Sequence, residues 1–324
     1  MAFSLAGAVW PSSLLGEEHG PAPDPGRAHL LCLGDWGTNT HPEQQTATAE
    51  AMRMWTDRQK IRPEALLMLG DNWYGDLDGG VSSKRWQTGF EQMYPASHFP
   101  GPVYAVLGNH DYEKRGSNKA EAELAYAKQG GSRWQMPAKW YSFQFPEKNP
   151  LVTFLCLDSN VPGTKGFDWL PWSYVMSHDE AAEQDAWLRE QLSKPRDTPF
   201  VVATAHHPLY SNGGHGDNAL LIRKWDALFR DHKLDMYLTG HDHDLQHLEF
   251  AEHPTSFVIS GGGGAELVKW SRPPESRGPW GSRVLGFTDL EVSEETMIVR
   301  HIGTQAQVVH AFQRNRAGEV KVLA

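Results

Sequence analysis

This chain of 324 residues contains only two cysteines and has no excess of positive charge. Its two cysteines, Cys32 and Cys156, lie in apolar segments typical of strands, so buried free thiols are the expected state, and a disulfide is conceivable if the two strands are neighbours. The formal net charge is −10 and no basic stripe is present. This argues against a nucleic acid or an anionic membrane as partner, because affinity for phosphate backbones comes from clustered lysine and arginine.

Long apolar runs are also missing. Residues 1–15 are mildly apolar but have neither a positively charged start nor an uninterrupted apolar core, so they make a poor signal peptide and are too short to span a membrane. The proline-rich segment 21–26 is typical of a linker. We therefore expect residues 1–27 to be an N-terminal leader or linker and residues 28–324 to form a single domain.

From residue 29 onward, apolar strand-like segments alternate with helical ones. The first three strands are expected at 29–35, 65–69 and 103–107. Helices are expected at 42–60, where a proline precedes good helix formers, and at 84–94 and 119–129. This order predicts βαβ units, and hence a largely parallel first sheet with functional loops at its carboxyl edge.

The second half of the chain is richer in strands. We expect a hairpin at 140–145 and 151–157, a long aromatic loop at 159–178, a helix at 179–194, a strand at 200–205, a helix at 218–232 and a strand at 234–239. Further strands are expected at 245–250, 256–260, 287–292, 296–301 and 308–313, around an irregular loop at 261–283. A second, mainly antiparallel sheet packed on the first would account for this half.

One device recurs at the ends of the apolar strands, namely a glycine followed by a side chain that can bind a metal. The chain contains it as Gly34-Asp35, Gly70-Asp71, Gly108-Asn109 and Gly240-His241. Asp71 alone would be interpreted as a turn residue, because Gly-Asp-Asn is common turn chemistry. Four such strand ends favour a shared metal centre instead.

Seven side chains at or near these strand ends are candidate ligands: Asp35, Asp71, Tyr74, Asn109, His206, His241 and His243. Their oxygens and imidazoles suit first-row transition metals, and seven donors are too many for one ion. Two metal ions are the simplest interpretation. One aspartate would then bridge them, because the other six donors divide evenly between two sites.

Five blocks in order carry a resemblance to a known family: Gly34-Asp-Trp-Gly37, Gly70-Asp-Asn-Trp-Tyr74, Gly108-Asn-His-Asp111, Ala205-His-His-Pro208 and Gly240-His-Asp-His243. They resemble the signature blocks of the purple acid phosphatases, and most closely the short, tartrate-resistant branch of the calcineurin-like metallophosphoesterases. The resemblance runs from about residue 29 to residue 314. It implies an α/β fold of four layers, in which two mixed β-sheets pack face to face and are flanked by helices.

The resemblance also implies a role for each candidate residue. A ferric ion would be held by Asp35, Tyr74 and His243. A divalent ion, either Fe(II), Zn(II) or Mn(II), would be held by Asn109, His206 and His241. Asp71 would bridge the two ions. The catalytic groups facing the phosphate and its leaving oxygen would be His110 and His215.

The implied reaction is hydrolysis of phosphate monoesters, or of anhydrides, at acidic pH by attack of a metal-bound hydroxide. A small phosphorylated substrate and a secreted or periplasmic location go with it. The alternative is a divalent-metal phosphodiesterase or nucleotide pyrophosphatase on the same fold. A non-catalytic binding protein is least favoured, because such a protein would be expected to lack at least one ligand.

Tyr74 separates the leading hypothesis from its alternative. Generic dimetal phosphoesterases carry a histidine two residues after the first aspartate, at the position where this chain has Gly37. A phenolate is a hard anionic donor that favours a trivalent ion. The two changes together predict a pair of ions of different valence.

The block at 205–208 contains two adjacent histidines, His206 and His207, and either could be the ligand. The nine-residue spacing to His215 favours His206, in which case His207 could contact the substrate. Asp111 and Asp242 lie beside candidate ligands and could orient them, although a solvated or turn role is nearly as well supported.

Overall fold

Two mixed β-sheets form the framework of the protein. The computed structural model describes residues 21–112, 119–164, 175–273 and 276–324, and within these ranges the strands form one sheet of eight and one of seven. In chain order they are β1 (Ala28–Leu33), β2 (Ala65–Met68), β3 (Val103–Ala105), β4 (Trp134–Gln135), β5 (Tyr141–Phe145), β6 (Val152–Cys156), β7 (Phe200–Thr204), β8 (Met236–Thr239), β9 (Leu245–Leu248), β10 (Ser256–Ser260), β11 (Trp280–Ser282), β12 (Gly286–Val292), β13 (Thr296–Gly303), β14 (Val308–Asn315) and β15 (Val320–Val322).

Helices connect the strands and cover the outer faces of the sheets. They are α1 (Pro42–Gln59), α2 (Lys119–Ala127), α3 (His178–Ser193), α4 (Ala219–Leu221) and α5 (Ala227–Asp231). The π-helical segment Ile222–Asp226 joins α4 to α5. Shorter helical turns lie at Gly80–Ser82, Trp86–Glu91 and His110–Tyr112.

Local sequence signals account for the ends of the two longest helices. Pro42 occupies the first turn of α1, where its missing N–H is no loss, and Lys60 ends that helix in a left-handed conformation with φ of 57°. A capping box begins α3, because the Ser177 side chain accepts from the Glu180 N–H and the Glu180 side chain accepts from the Ser177 N–H. These helices start and stop within two residues of the positions expected from the sequence.

The eight-stranded sheet has the order β15-β14-β13-β12-β1-β2-β3-β4. Strands β1 to β3 are parallel, as expected, and the short strand β4, which was not expected, continues the parallel set. However, β12 pairs antiparallel with the other edge of β1, with Leu30 opposite Leu290. The expectation that the C-terminal strands belong to a second antiparallel sheet was therefore wrong. Alternating apolar residues mark the face of a strand that is buried but do not show which neighbour it pairs with.

The seven-stranded sheet has the order β11-β9-β10-β8-β7-β6-β5. Strands β6, β7, β8 and β10 are parallel, whereas β5, β9 and β11 pair antiparallel with their neighbours. The predicted hairpin is present as β5 and β6. Both sheets are mixed, which confirms the predicted α/β fold with two mixed sheets.

Several local expectations need correction. The helix expected at 84–94 is a π-helical turn at Trp86–Glu91, and the helix expected at 218–232 is interrupted by the π-helical segment. The loop at 261–283 contains β11, and the short strands β4 and β15 were not expected. Half of the aromatic loop at 159–178, residues 165–174, lies outside the described residues.

The core consists of three apolar layers, and these separate four layers of secondary structure. Alternate residues of β1 show the arrangement, since Leu31 and Leu33 pack towards α1 whereas Leu30 and Cys32 pack between the two sheets. A third cluster lies between the second sheet and the helices α3 to α5. Cys32 and Cys156 are both buried and free, and they lie in different sheets, so the conceivable disulfide does not form. No helix in the described part of the chain is both long and apolar enough to cross a membrane.

Candidate metal centre

The candidate ligands lie at the carboxyl ends of strands from both sheets. Each of five follows a strand: Asp35 after β1, Asp71 after β2, Asn109 after β3, His206 after β7 and His241 after β8. The sheets approach closely at this edge, because a Cβ added to Gly34 would lie 3.0 Å from the Cα of Gly240. The two sets of strand ends therefore face a common site.

The backbone is unusual at three of these residues. Positive φ angles occur at Asp35 (61°), Asp71 (50°) and His241 (73°). This conformation costs a non-glycine residue of the order of 1–3 kcal/mol and persists only where the surroundings impose it. Here hydrogen bonds impose it, since the Asp35 N–H donates to the Gly70 carbonyl at 3.0 Å and the His241 N–H donates to Asp35 Oδ2 at 2.8 Å.

A first group of donors forms around Tyr74. Its hydroxyl oxygen lies 3.1 Å from Asp35 Oδ1 and 3.1 Å from His243 Nε2. His243 Nε2 is in turn 3.5 Å from Asp35 Oδ1. His243 Nδ1 donates to the Glu266 carbonyl at 2.6 Å, which assigns the proton to Nδ1 and leaves Nε2 to act as an acceptor or ligand.

A second group of donors forms around His206. Its Nε2 lies 3.3 Å from Asp71 Oδ2 and 3.2 Å from His241 Nδ1. Its Nδ1 donates to the Leu69 carbonyl at 2.9 Å, so Nε2 is the nitrogen available to a metal. Ligand atoms of Asp35, Asp71 and His206 all lie within 4.8 Å of one another, and all three side chains are buried. The two groups are therefore contiguous.

Burial and mutual attraction set the charge of the cluster. Burial, assisted by the nearby Asp71, raises the pKa of Asp35 well above its usual value. Burial also opposes ionisation of Asp71, yet the neighbouring His206 and His110 hold the pKa of that carboxyl well below its usual value. Burial disfavours a charged His206 as well, but the two carboxylates raise its pKa to about 9. The cluster thus needs positive charge in its middle.

These residues fit metal ions. Carboxylate, phenol and imidazole donors converge there, and such a set suits first-row transition metals. The carbonyl partners of His206 and His243 hold both rings with Nε2 directed at the carboxylates, as is usual for ligating histidines. A metal ion at His206 would replace the proton that Asp71 now attracts.

His207 is placed differently from its neighbour His206. Its Nδ1 is 2.8 Å from the hydroxyl of Ser159, and its ring lies 4.3 Å from that of His241. The structure therefore brings His206, and not His207, into the group with the two carboxylates. His207 borders the adjacent cavity instead.

The two predicted catalytic histidines lie on the rim of the centre. The His110 N–H donates to Asp71 Oδ1 at 2.8 Å, and its ring centroid lies 4.3 Å from that of Tyr74, with the two rings tilted by 38°. The His215 ring lies 4.2 Å from that of His241 and its side chain is 47% exposed. A hydrogen bond between His215 Nδ1 and Asp242 Oδ1, 2.9 Å long, raises the pKa of His215 although burial opposes this.

A cavity of about 670 Å³ opens directly beside the centre. On the metal side it is lined by Asn109, His207, His215 and His241. Its volume lies within the range of about 300–1,000 Å³ that is typical of sites for whole small molecules. The cavity therefore has room for more than an inorganic phosphate group.

A family model for calcineurin-like phosphoesterases matches residues 28–245, which is well over half of the chain. The chain belongs to this family. The matched span includes all seven candidate ligands. The recognition made from the sequence blocks is thereby confirmed, together with the expectation of an enzyme.

The relatives of this phosphoesterase include acid phosphatases. It is 29% identical to tartrate-resistant acid phosphatase type 5 of Mus musculus, over 88% of this chain and 89% of that protein. It is 26% identical to purple acid phosphatase 4 of Arabidopsis thaliana, over 92% of this chain and 86% of that protein. Among solved structures, GAP50, the anchor in the inner membrane complex of Plasmodium, has the same fold, with a TM-score of 0.75 at 20% identity and 89% of each chain covered.

A buried polar network lies behind the candidate metal centre of this phosphoesterase, and the sequence predicted only part of it. The Asn72 amide donates to Glu123 Oε2 at 2.8 Å and to Asp111 Oδ2 at 3.3 Å. Asp111 also accepts from the N–H groups of Trp73 and Gly108 at 2.9 and 2.8 Å, so it orients the loops of two candidate ligands, one of the two roles expected for it. Burial and the nearby Asp111 raise the pKa of Glu123 well above its usual value.

Glu123 and Lys119 are the members of this network that sequence reasoning missed. Both belong to α2 and both are buried, with 0% and 1% exposure. The Lys119 ammonium donates to the carbonyls of Trp73 and Gly75, each at 2.8 Å. Nothing in the pattern of α2 distinguishes them from solvated charges, because their partners Asn72, Trp73 and Gly75 lie more than forty residues away in sequence.

Proposed function

We propose that this phosphoesterase is an acid phosphatase that hydrolyses phosphate monoesters at a centre of two metal ions. The ferric ion would be held by Asp35, Tyr74 and His243. The divalent ion, Fe(II), Zn(II) or Mn(II), would be held by Asn109, His206 and His241, with Asp71 between the two. The observation that carries the proposal is the contact of the Tyr74 hydroxyl with both Asp35 and His243 at 3.1 Å.

The local backbone supports ions of unequal valence. Generic phosphoesterases with two divalent metal ions carry a histidine at the position of Gly37. In this protein, a Cβ added to Gly37 would lie 1.6 Å from the Asn72 carbonyl oxygen. No histidine fits there without a change of the loop, and the phenol of Tyr74 is directed into the centre instead. A phenolic oxygen is a hard donor and favours Fe(III).

Metal ions in this centre would supply Lewis acidity, which lowers the pKa of a water molecule and stabilises charge on the phosphate. The protein residues would bind the phosphate and handle the protons. His215 Nδ1 is bound to Asp242, so Nε2 is the atom that can donate a proton to the departing ester oxygen. Asp242 keeps His215 in this tautomer and favours its protonated form. His110, whose N–H is held by Asp71, would contact the phosphate from the side of Tyr74.

Two other functions are possible on this fold. A divalent-metal phosphodiesterase or nucleotide pyrophosphatase is the first, and the cavity of 670 Å³ would accommodate the second organic group of a diester. A non-catalytic anchor is the second, since GAP50 shares the fold. The convergence of Asp35, Asp71 and His206 argues against an anchor, because a protein without metal chemistry has no need of two buried carboxylates beside one histidine.

Metal analysis with kinetics on one preparation tests the proposal. We expect purified protein loaded with iron and zinc to contain two metal ions per chain, to show a tyrosinate-to-iron absorption band in the visible range, and to hydrolyse 4-nitrophenyl phosphate at least tenfold faster than bis(4-nitrophenyl) phosphate. Faster diester turnover with Mn(II) alone and no colour would establish the phosphodiesterase. A metal-replete protein that hydrolyses neither ester would be an anchor or binding protein.

We further propose that residues 28–324 act as one catalytic domain preceded by a leader or linker at residues 1–27. Its partner would be a small phosphorylated substrate, with no nucleic acid and no insertion into a membrane. A secreted or periplasmic location would suit an enzyme that works in acid.

A further inference from the structure

The cavity beside the metal centre has a second wall that the proposed chemistry does not use. This wall comes from the segment 216–223, which includes Asp217, Asn218, Leu220 and Arg223. A monoester whose phosphate lies at the metal centre would extend its organic group into this cavity, which the same segment lines.

The charges on this wall are unequal. Asp217 is neutralised by Arg277, which bonds both of its carboxylate oxygens at 2.8 and 2.9 Å, and it also lies 3.5 Å from Arg272. Arg223 is exposed and forms no ion pair with any residue that the structure describes. Among the residues that the structure describes on this wall, the guanidinium of Arg223 is therefore the one charge without an ionic partner.

The helix around Arg223 is itself irregular. Arg223 belongs to the π-helical segment Ile222–Asp226, which separates α4 from α5. The next residue, Lys224, is paired with Asp185, and Trp225 is fully buried. Such π-helical insertions change the direction of side chains and are frequent at functional sites. The insertion leaves Arg223 on the cavity while its cationic neighbour is bound elsewhere.

We infer that Arg223 binds a second anionic group of the substrate, so that the preferred substrates are phosphate monoesters whose organic part carries a further carboxylate or phosphate. The inference rests on the proposed function, because it assumes that the scissile phosphate lies at the metal centre. A guanidinium is suited to this task since it can form two parallel hydrogen bonds to a carboxylate or to a phosphate.

A pair of isosteric substrates tests the inference, namely 4-carboxyphenyl phosphate and its neutral analogue 4-carbamoylphenyl phosphate. In Arg223→Gln we expect kcat/KM for the carboxylate to fall about tenfold, mainly through KM, and kcat/KM for the amide to change less than about twofold. The contact is made equally in the ground and transition states, which is why KM should carry the effect. The discrimination should weaken as salt is added.

Arg189→Gln provides the matched control, because Arg189 is an exposed arginine of α3 that does not line the cavity. This substitution should leave kcat/KM unchanged for both substrates. Equal losses for the two substrates in Arg223→Gln, or no loss for either, would overturn the inference.

Binding separates this inference from the proposed function. The affinities of the two corresponding phosphonates, which cannot be hydrolysed, can be measured by calorimetry on the metal-loaded protein. A preference for the carboxylate that is lost in Arg223→Gln supports the inference even if no monoester is turned over. Absence of that preference in the wild-type protein overturns it even if monoesters are hydrolysed well.

Discussion

The hydroxyl of Tyr74 lies 3.1 Å from Oδ1 of Asp35, although the two residues are 39 positions apart in sequence. Burial raises the pKa of the Tyr74 phenol well above its usual value, so without a metal ion the hydroxyl keeps its proton. It then donates a hydrogen bond to Asp35. A ferric ion would displace that proton. Tyr74 is therefore the residue whose phenolate would give an iron-loaded protein its visible colour.

Replacement of Tyr74 by phenylalanine should abolish the visible absorption of the iron-loaded protein, because the phenolate donor is removed. The fold should persist, since the ring itself is retained. Visible and circular dichroism spectra measure the two effects. Tyr112→Phe, which removes a hydroxyl bonded to Asp158 at 2.6 Å, is a control that should keep the colour. An unchanged visible spectrum in Tyr74→Phe would refute the ligand assignment.

Metal content distinguishes the adjacent histidines of the 205–208 block. We expect His206→Asn to lose about one metal ion per chain, because Nε2 of His206 is the atom beside Asp71 and His241. His207→Asn should retain both ions, since His207 lies outside the group formed by His206 and the two carboxylates and borders the cavity instead. Elemental analysis after dialysis provides the measurement. The reverse pattern of loss would make His207 the ligand.

Glu123 can be tested by substitutions that keep or remove its hydrogen bonds. Glu123→Gln should be close to wild type, because burial already favours the neutral acid and a glutamine can make the same contacts with Asn72 and Asp111. Glu123→Leu should lower the free energy of unfolding by about 1–3 kcal/mol, since the buried Asn72 amide loses the nearest of its three acceptors. It should also weaken metal binding, because Asn72, which Glu123 holds in place, directly follows the candidate ligand Asp71.

Urea unfolding and competition with a chelator measure these two effects. If Glu123→Leu equals the wild type in stability and in metal retention, the network does not support the centre. If Glu123→Gln fails as severely as Glu123→Leu, the ionised carboxylate is required and the neutral form is not.

A cluster of buried histidines should make the protein sensitive to acid. His247 Nδ1 lies 3.0 Å from His310 Nε2, and Trp280 stacks on His310 at 4.8 Å. Burial lowers the pKa of His301 well below its usual 6.5 and that of His310 to about 3. The folded protein therefore keeps these rings neutral at pH values where the unfolded chain binds protons.

Acid should therefore destabilise the folded protein. Above pH 6.5 both states are neutral at these positions, whereas below it the free energy of unfolding should fall by about 1.4 kcal/mol per pH unit for each such histidine. His310→Gln should reduce that slope between pH 6 and pH 4.5, as measured by urea unfolding at a series of pH values. His178→Gln, at an exposed position, should leave the slope unchanged. An identical slope in His310→Gln would show that His310 does not contribute.

The sequence by itself determined the features that depend on local pattern. The strand ends at Gly34-Asp35, Gly70-Asp71 and Gly240-His241 were recognisable because each combines an apolar strand, a turn residue and a metal-competent side chain within a few positions. The helices α1 and α3 were predictable for the same reason, since their caps are local.

Tertiary structure alone decided which distant segments meet. Alternating apolar residues in β12 predict a buried strand but not its pairing with β1, and charged residues in α2 give no sign that Glu123 reaches Asn72. The separation of His206 from His207, and the position of Arg223 on the cavity, depend in the same way on packing between elements far apart in the chain. Hydrophobic periodicity shows which face of an element is buried, whereas the partner of that face is selected by the packing of the whole chain.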